Sequence, residues 1–369
     1  MTANAPSPKI SRMQAEELDL ILDFLQTEQR NIGYPGLAGA IVAGDTLLWS
    51  GGFGVRELGG AAPVDGDTRF LTCSVSKLFV ASLLQIVASQ GLVGLDEPVQ
   101  NHWPAIEVIP GSEAITFRHL VSHTAGLPLM PPLPEMAVTD GIPTVEMMAD
   151  IHMPDMARLL ESFPQLTLLA APGERYEYSN IGIAILAQLL GEKLGLSYAE
   201  AVTQHILVPL GMKGATFAAT EAQAGNFATG HFGFADPPAP LPPYDLGAFL
   251  PAGGLYASAA DMGRFLQAQF APPAGYLTPA QIAEMWTMQL PFKSGRYGGD
   301  PGVAGIGLGW HITTLAGQIA VEHGGADPAY SAFLSLLPSQ RLGVFLAANS
   351  GVNPQSIADL SHEVLRVLL

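Results

Sequence analysis

Apolar positions recur along the chain with two different periods. Near both ends they form short dense runs, and through the middle they return every three or four residues. Residues 13 to 29 set Met13, Leu18, Leu20, Ile21, Phe24 and Leu25 among acids, the spacing of an amphipathic surface helix. The runs Leu37 to Val42 and Thr46 to Trp49 flank Ala43-Gly44-Asp45 and predict a β-hairpin. After a Gly-rich connection an apolar helix opens at Ser74 and ends near Gln90-Gly91. From there to about residue 290 the pattern is mostly helical, with helices expected over Phe117–His123, Met153–Glu161, Asn180–Leu194, Tyr198–Leu207, Ala259–Phe270 and Pro279–Met288. The tail returns to strands at Gly305–Thr313, Gln318–Glu322, Ala332–Leu337 and Gly343–Ala347, and Pro354–Leu369 closes as a helix. Strands at both ends with helices between them predict an α/β (α+β) organisation. A discontinuous domain from 1–105 and 290–369 would carry a mainly helical domain, 106–289, as an insert.

Composition narrows the function classes. Charged residues are 13% of the 369, while Gly and Pro number 41 and 30, which points to long structured loops. The proline-rich stretches Leu127–Met136 and Ala235–Pro243 are apolar, so they are expected to pack on the body. A formal charge of −17 with only 16 basic residues argues against nucleic acid and anionic membrane surfaces as partners. One cysteine excludes an internal disulfide, and the start of the chain has no apolar signal region, so a cytoplasmic setting is expected. The most apolar stretches, Leu78–Val87 and Ile181–Leu190, are too short to span a bilayer.

Four stretches carry candidate chemistry. In Ser74-Val75-Ser76-Lys77 a serine stands three residues before a lysine, on one face of a helix, so Nζ can reach Oγ. The following residues are apolar, which draws the lysine into a core where its pKa falls and the amine becomes a base. Tyr178-Ser179-Asn180, just before a helix, can aim two polar side chains into one cleft; equally, Asn180 can cap that helix with Tyr178 packed beneath it. His323-Gly324-Gly325-Ala326 follows a short strand, where paired glycines allow close approach of a ligand and an exposed N–H can stabilise an oxyanion, or where a turn simply needs positive φ. His119 and His123 have the i,i+4 spacing of a zinc pair but no third ligand, and are read as histidines closing a loop; no metal or other cofactor is expected. No Gly-x-Ser-x-Gly elbow exists in the chain, which disfavours an α/β-hydrolase triad. Cys73, beside the serine, reads as a buried packing residue.

In this order and spacing the stretches resemble the serine β-lactamase-like and penicillin-binding-protein-like superfamily, with class C β-lactamases and family VIII carboxylesterases closest. Ser74-x-x-Lys77 is similar to the family's S-x-x-K, Tyr178-Ser179-Asn180 to its Y-x-N, and His323-Gly324-Gly325 to its third box. Further similar text is Ile115 to Pro128, Pro172-Gly173-Glu174, Pro209 to Met212 and Pro251 to Leu255, so the likeness runs from about residue 15 to the end. It implies a β-lactamase/transpeptidase-like fold, an antiparallel sheet flanked by helices with an all-α domain beside it and the site at their junction. Ser74 would be the acylated nucleophile, with Lys77 and Tyr178 sharing the base role. Asn180 would orient Lys77 or the substrate carbonyl. The backbone N–H groups of Ser74 and Ala326 would form the oxyanion hole, with His323, Gly324 and Gly325 lining the substrate site.

One departure bears on the substrate. Penicillin-recognising enzymes place a lysine where this chain has His323, mostly neutral at pH 7, which weakens capture of a carboxylate. Together with the apolar loops Leu127–Met136 and Phe232–Tyr244, this leads to the expectation of a carboxylesterase for short to medium acyl esters. A β-lactamase, a D-amino acyl peptidase or amidase, an acyl transferase and a catalytically silent binding protein of the same fold stand as alternatives. Oligomeric state does not follow from these residues.

Overall fold

The computed structural model describes residues 8–134, 145, 153–217, 225–233, 238–292, 300–351 and 353–369. The far end of the 127–136 loop and part of the 232–244 loop lie outside them. Its principal helices are α1 Pro8–Ile32, α2 Lys77–Ser89, α3 Phe117–Val121, α4 Met156–Glu161, α5 Asn180–Leu194, α6 Tyr198–Val202, α7 Ala259–Phe270, α8 Pro279–Met285 and α9 Pro354–Val367. Its strands are β1 Gly36–Ala43, β2 Thr46–Gly54, β3 Arg69–Leu71, β4 Gly230–Phe232, β5 Ala239–Leu241, β6 Tyr256–Ser258, β7 Leu290–Pro291, β8 Asp300–Ile306, β9 His311–Leu315, β10 Gln318–Ala326, β11 Ser331–Leu337 and β12 Leu342–Ala348.

Eight strands form one antiparallel sheet in the order β2-β1-β12-β11-β10-β9-β8-β7, so the two ends of the chain meet where β1 pairs with β12. The period of two divides its side chains between two cores. On β1, Leu37 and Ile41 join Val344, Leu346 and residues of α1 and α9; Ala38, Ala40 and Val42 join Phe345, Ala347 and the opposite layer. That opposite layer contains α7 against β1, β2 and β12, and α2, which packs on α5. Every residue of α2 from Lys77 to Val87 is buried. A helix apolar all round belongs between layers, and α2 has that place. Among the described residues no single helix is both long and apolar enough to cross a membrane.

Three expectations are corrected. The apolar run Gly305–Thr313 is the end of β8 and the start of β9, reversed through Leu308 and Gly309, whose φ of +78° suits glycine. The strand expected to stop at Glu322 continues to Ala326, because β11 goes on pairing with it after β9 has ended. The division at residues 105 and 290 also fails for α7, which lies on the sheet although its sequence falls in the middle segment.

Candidate active site

Ser74 lies in a 3-10 turn, Cys73–Ser76, that leads directly into α2. In such a turn residues i and i+3 eclipse, closer than in an α-helix. Lys77 Nζ donates to Ser74 Oγ at 2.8 Å and to the Ala252 carbonyl at 2.6 Å. The lysine is 1% exposed, and burial pushes its pKa from 10.5 down to about 7. Near neutral pH a substantial fraction is therefore free amine, able to take the serine proton. The turn is held from the side. Thr72 Oγ1 donates to the Leu255 carbonyl at 2.9 Å, so the 3.1 Å contact between the Thr72 and Ser76 hydroxyls is donated by Ser76, whose oxygen accepts the Leu255 N–H at 3.1 Å. Cys73 sits at φ +48°, a strained value for a non-glycine residue, and burial raises its thiol pKa well above 9.0. Its Sγ lies 3.7 Å from the Leu71 carbonyl and 3.8 Å from that of Tyr330, and it offers no thiolate.

The Tyr178-Ser179-Asn180 stretch enters from α5. Ser179, not Asn180, caps that helix, its Oγ accepting the Gly182 N–H at 3.0 Å. Asn180 is thereby free to face the cavity that Ser74 lines. There its Nδ2 contacts Met130 Sδ at 3.3 Å, and its buried Oδ1 has no hydrogen-bond partner among the described residues. The Tyr178 ring lies 4.9 Å from Lys77 Nζ and packs, tilted by 33°, with its centroid 4.4 Å from the imidazole of His123. His123 grips this stretch twice: its carbonyl accepts the Glu177 N–H at 2.8 Å and its Nδ1 accepts the Ser179 N–H at 3.1 Å. Burial first, then the nearby charges of Lys77 and His311, hold its pKa well below 6.5. Sequence reading placed His119 and His123 together as loop-closing residues. The first does cap α3 through Thr116, whereas the second supports Tyr178.

The third stretch runs past the nucleophile as the free edge of β10. A Cβ on Gly325 would stand 2.5 Å from the Thr72 carbonyl oxygen and 2.8 Å from the Ser74 nitrogen, so only glycine fits. Ala326, next along, lines the Ser74 cavity. His323 turns inward instead. It is 1% exposed, its Nδ1 donates to the Gly324 carbonyl at 2.7 Å, and its buried Nε2 has no hydrogen-bond partner among the described residues. Because a carbonyl only accepts, the ring proton is on Nδ1 and Nε2 presents a lone pair. Burial, then His311 and Lys77, press its pKa well below 6.5. His311, its ring 5.0 Å away, is bound to the Tyr176 hydroxyl at 2.9 Å.

The cavity at Ser74 encloses about 250 Å³ between Leu71, Met130, Met153, Leu246 and Phe249, with Asn180, Tyr244 and Asp327 as its polar side. Of the residues expected at the site, Ser74, Asn180 and Ala326 line this cavity, Tyr178, His323, Gly324 and Gly325 line a neighbouring space of about 350 Å³ that also touches Ala326, and the buried Lys77 is bonded to Ser74. The sequence reading did not include the Ala252 carbonyl, the support from His123, or Tyr244 and Asp327. Pro251 to Leu255 was noticed as similar text, and that was the only signal for the first.

A serine hydroxyl bonded to a buried lysine of near-neutral pKa, at a helix start facing the edge of an antiparallel strand, defines a serine hydrolase of the β-lactamase and penicillin-binding type. The chain belongs to the Beta-lactamase family, whose model matches residues 22–368. It is similar to Protein flp of Staphylococcus aureus strain MW2, 25% identical over 336 residues, covering 90% of this chain but only 63% of flp. A penicillin-binding protein homologue from Pyrococcus abyssi, described as octameric, superposes with a TM-score of 0.79 at 25% identity over 95% of this chain and 77% of that one. A class C beta-lactamase gives 0.76 at 20% identity, covering 100% and 99%.

Proposed function

We propose that the protein is a carboxylesterase for short to medium acyl esters, working through an acyl-enzyme on Ser74. Ser74 Oγ attacks the ester carbonyl as its proton passes to Lys77 Nζ. The tetrahedral oxyanion is held by the N–H groups of Ser74 and Ala326. As it collapses, the alcohol leaves with a proton returned through Lys77 or Tyr178. Water then attacks the acyl-enzyme with its proton accepted by the same pair, releasing the acid and Ser74. The nearness of the Tyr178 ring to Lys77 Nζ, with His123 packed on its other side, supports Tyr178 as the second proton carrier.

The observation that carries the ester reading is His323. At the place where a carboxylate-binding enzyme needs a cation, this chain buries a neutral imidazole with its proton turned to its own backbone. The Leu, Met and Phe walls of the cavity suit an apolar acyl chain. Class C beta-lactamases share the fold, so the same chemistry on an amide is the competing reading. A panel of p-nitrophenyl esters from acetate to decanoate, run beside nitrocefin and a D-alanyl anilide, separates them. Esters with the larger kcat/KM support the proposal; faster turnover of the β-lactam or anilide refutes it.

A further inference from the structure

The residue after the oxyanion strand is an acid. Asp327 is half-buried on the wall of the Ser74 cavity, and its carboxylate accepts three hydrogen bonds. Oδ1 takes the N–H groups of Ala329 at 2.8 Å and Tyr330 at 2.5 Å, and Oδ2 takes the Tyr244 hydroxyl at 2.8 Å. Three donors on two oxygens suit an ionised carboxylate, which only accepts. None of those donors is a cation. Burial raises the pKa of Asp327 above 3.8, and the same donors offset only part of that rise.

The sequence around the cavity deepens the imbalance. Met130 and Met153 come from 119–157, Tyr244 to Gly253 from 214–263, and Ala326 to Pro328 from 297–340. None of these three segments contains a lysine or arginine, yet each contains acids. Apart from Lys77, which is turned to Ser74 and Ala252, nothing described at the site offers positive charge to a substrate.

We propose that Asp327 sets the charge of the accepted substrate: a fixed anion on the cavity wall, beside the oxyanion strand, rejects acyl groups that carry a carboxylate and admits uncharged ones. This is discrimination by repulsion, where His323 alone would only fail to attract. It rests on the ester reading for its substrates but depends on charge rather than on the bond cleaved.

The test compares matched pairs: p-nitrophenyl hexanoate with mono-p-nitrophenyl adipate, and hexanoyl with adipoyl p-nitroanilide. In wild type the neutral member of the pair should have a kcat/KM at least about tenfold above the anionic one, the size of a like-charge contact in a partly screened site. Asp327→Asn, whose amide can keep the backbone N–H bonds and the Tyr244 contact, should shrink that ratio about tenfold. Tyr244→Phe, which removes a donor and keeps the charge, should not. A wild-type ratio near one, a ratio unmoved in Asp327→Asn, or an equal collapse in Tyr244→Phe overturns the proposal. If anilides outrun esters the ester reading fails, while the ratio within the anilide pair still decides the role of Asp327.

Discussion

Glu322 and His323 are neighbours on β10, and the strand's alternation sends them to opposite faces of the sheet. Glu322, 1% exposed, enters a saturated network: Thr313 Oγ1 donates to it at 2.8 Å, Ser335 Oγ at 3.1 Å, and His362 Nε2 of α9 lies 2.9 Å away. His323, equally buried, has one nitrogen bonded to its own backbone and the other without a hydrogen-bond partner among the described residues. The first arrangement ties the sheet to a helix. The second keeps an uncharged, incompletely satisfied ring beside Lys77, an arrangement that stability alone does not favour. One face of the sheet is therefore built for cohesion and the other for chemistry, and each can be broken separately.

The largest separation should come from Ser74→Ala, which removes the nucleophile without touching the back of the sheet. Ester turnover should fall by about 10⁴-fold or more, with the thermal unfolding midpoint within a few degrees of wild type. Glu322→Leu should do the opposite. It leaves His362 and two hydroxyls without their acceptor, at about 3–5 kcal/mol in a urea titration, while the folded molecules still label at Ser74. Wild-type stability in Glu322→Leu would show that the rear network is not cohesive.

Titration sharpens the contrast further. The reactive form of Lys77 is the free amine, so kcat/KM should rise tenfold per pH unit up to about 7 and level off above it. A profile flat from pH 5 to 8 would remove Lys77 from the base role. The smallest effect is on stability in acid. His123 and His323 stay neutral in the fold at pH values where the unfolded chain, with imidazoles near 6.5, already binds protons. Stability is therefore lost as pH falls below about 6.5, by up to about 1.4 kcal/mol per unit for each ring. His323→Asn should show a shallower decline in urea midpoint between pH 7.5 and 5.5; an identical decline would mean the ring is not held neutral.

What the sequence disclosed was what is local. The Ser74–Lys77 spacing places both groups within one turn, and the short continuous apolar runs of β1, β11 and β12 identify strands because both faces of this sheet are covered. The helices α5 and α7 match their expected bounds because each has a serine cap ahead of apolar residues at helical spacing. The turn between β8 and β9 was hidden, since Leu308 and Trp310 keep the apolar run unbroken while the reversal depends on Gly309 alone. Contacts made by folding were hidden too. Nothing near Asp327 announces Tyr244, 83 residues away, and the tie from His123 to Ser179 spans 56.

The central claim is that a neutral Lys77 activates Ser74 for acylation. Fluorophosphonate labelling followed by intact mass and peptide mapping tests it directly, with the labelling rate followed from pH 5 to 9. The account predicts one adduct, on Ser74, absent in Ser74→Ala, forming at a rate that rises to a plateau with its midpoint near pH 7. An adduct on another residue, an undiminished adduct on Ser74→Ala, or a rate independent of pH would contradict it.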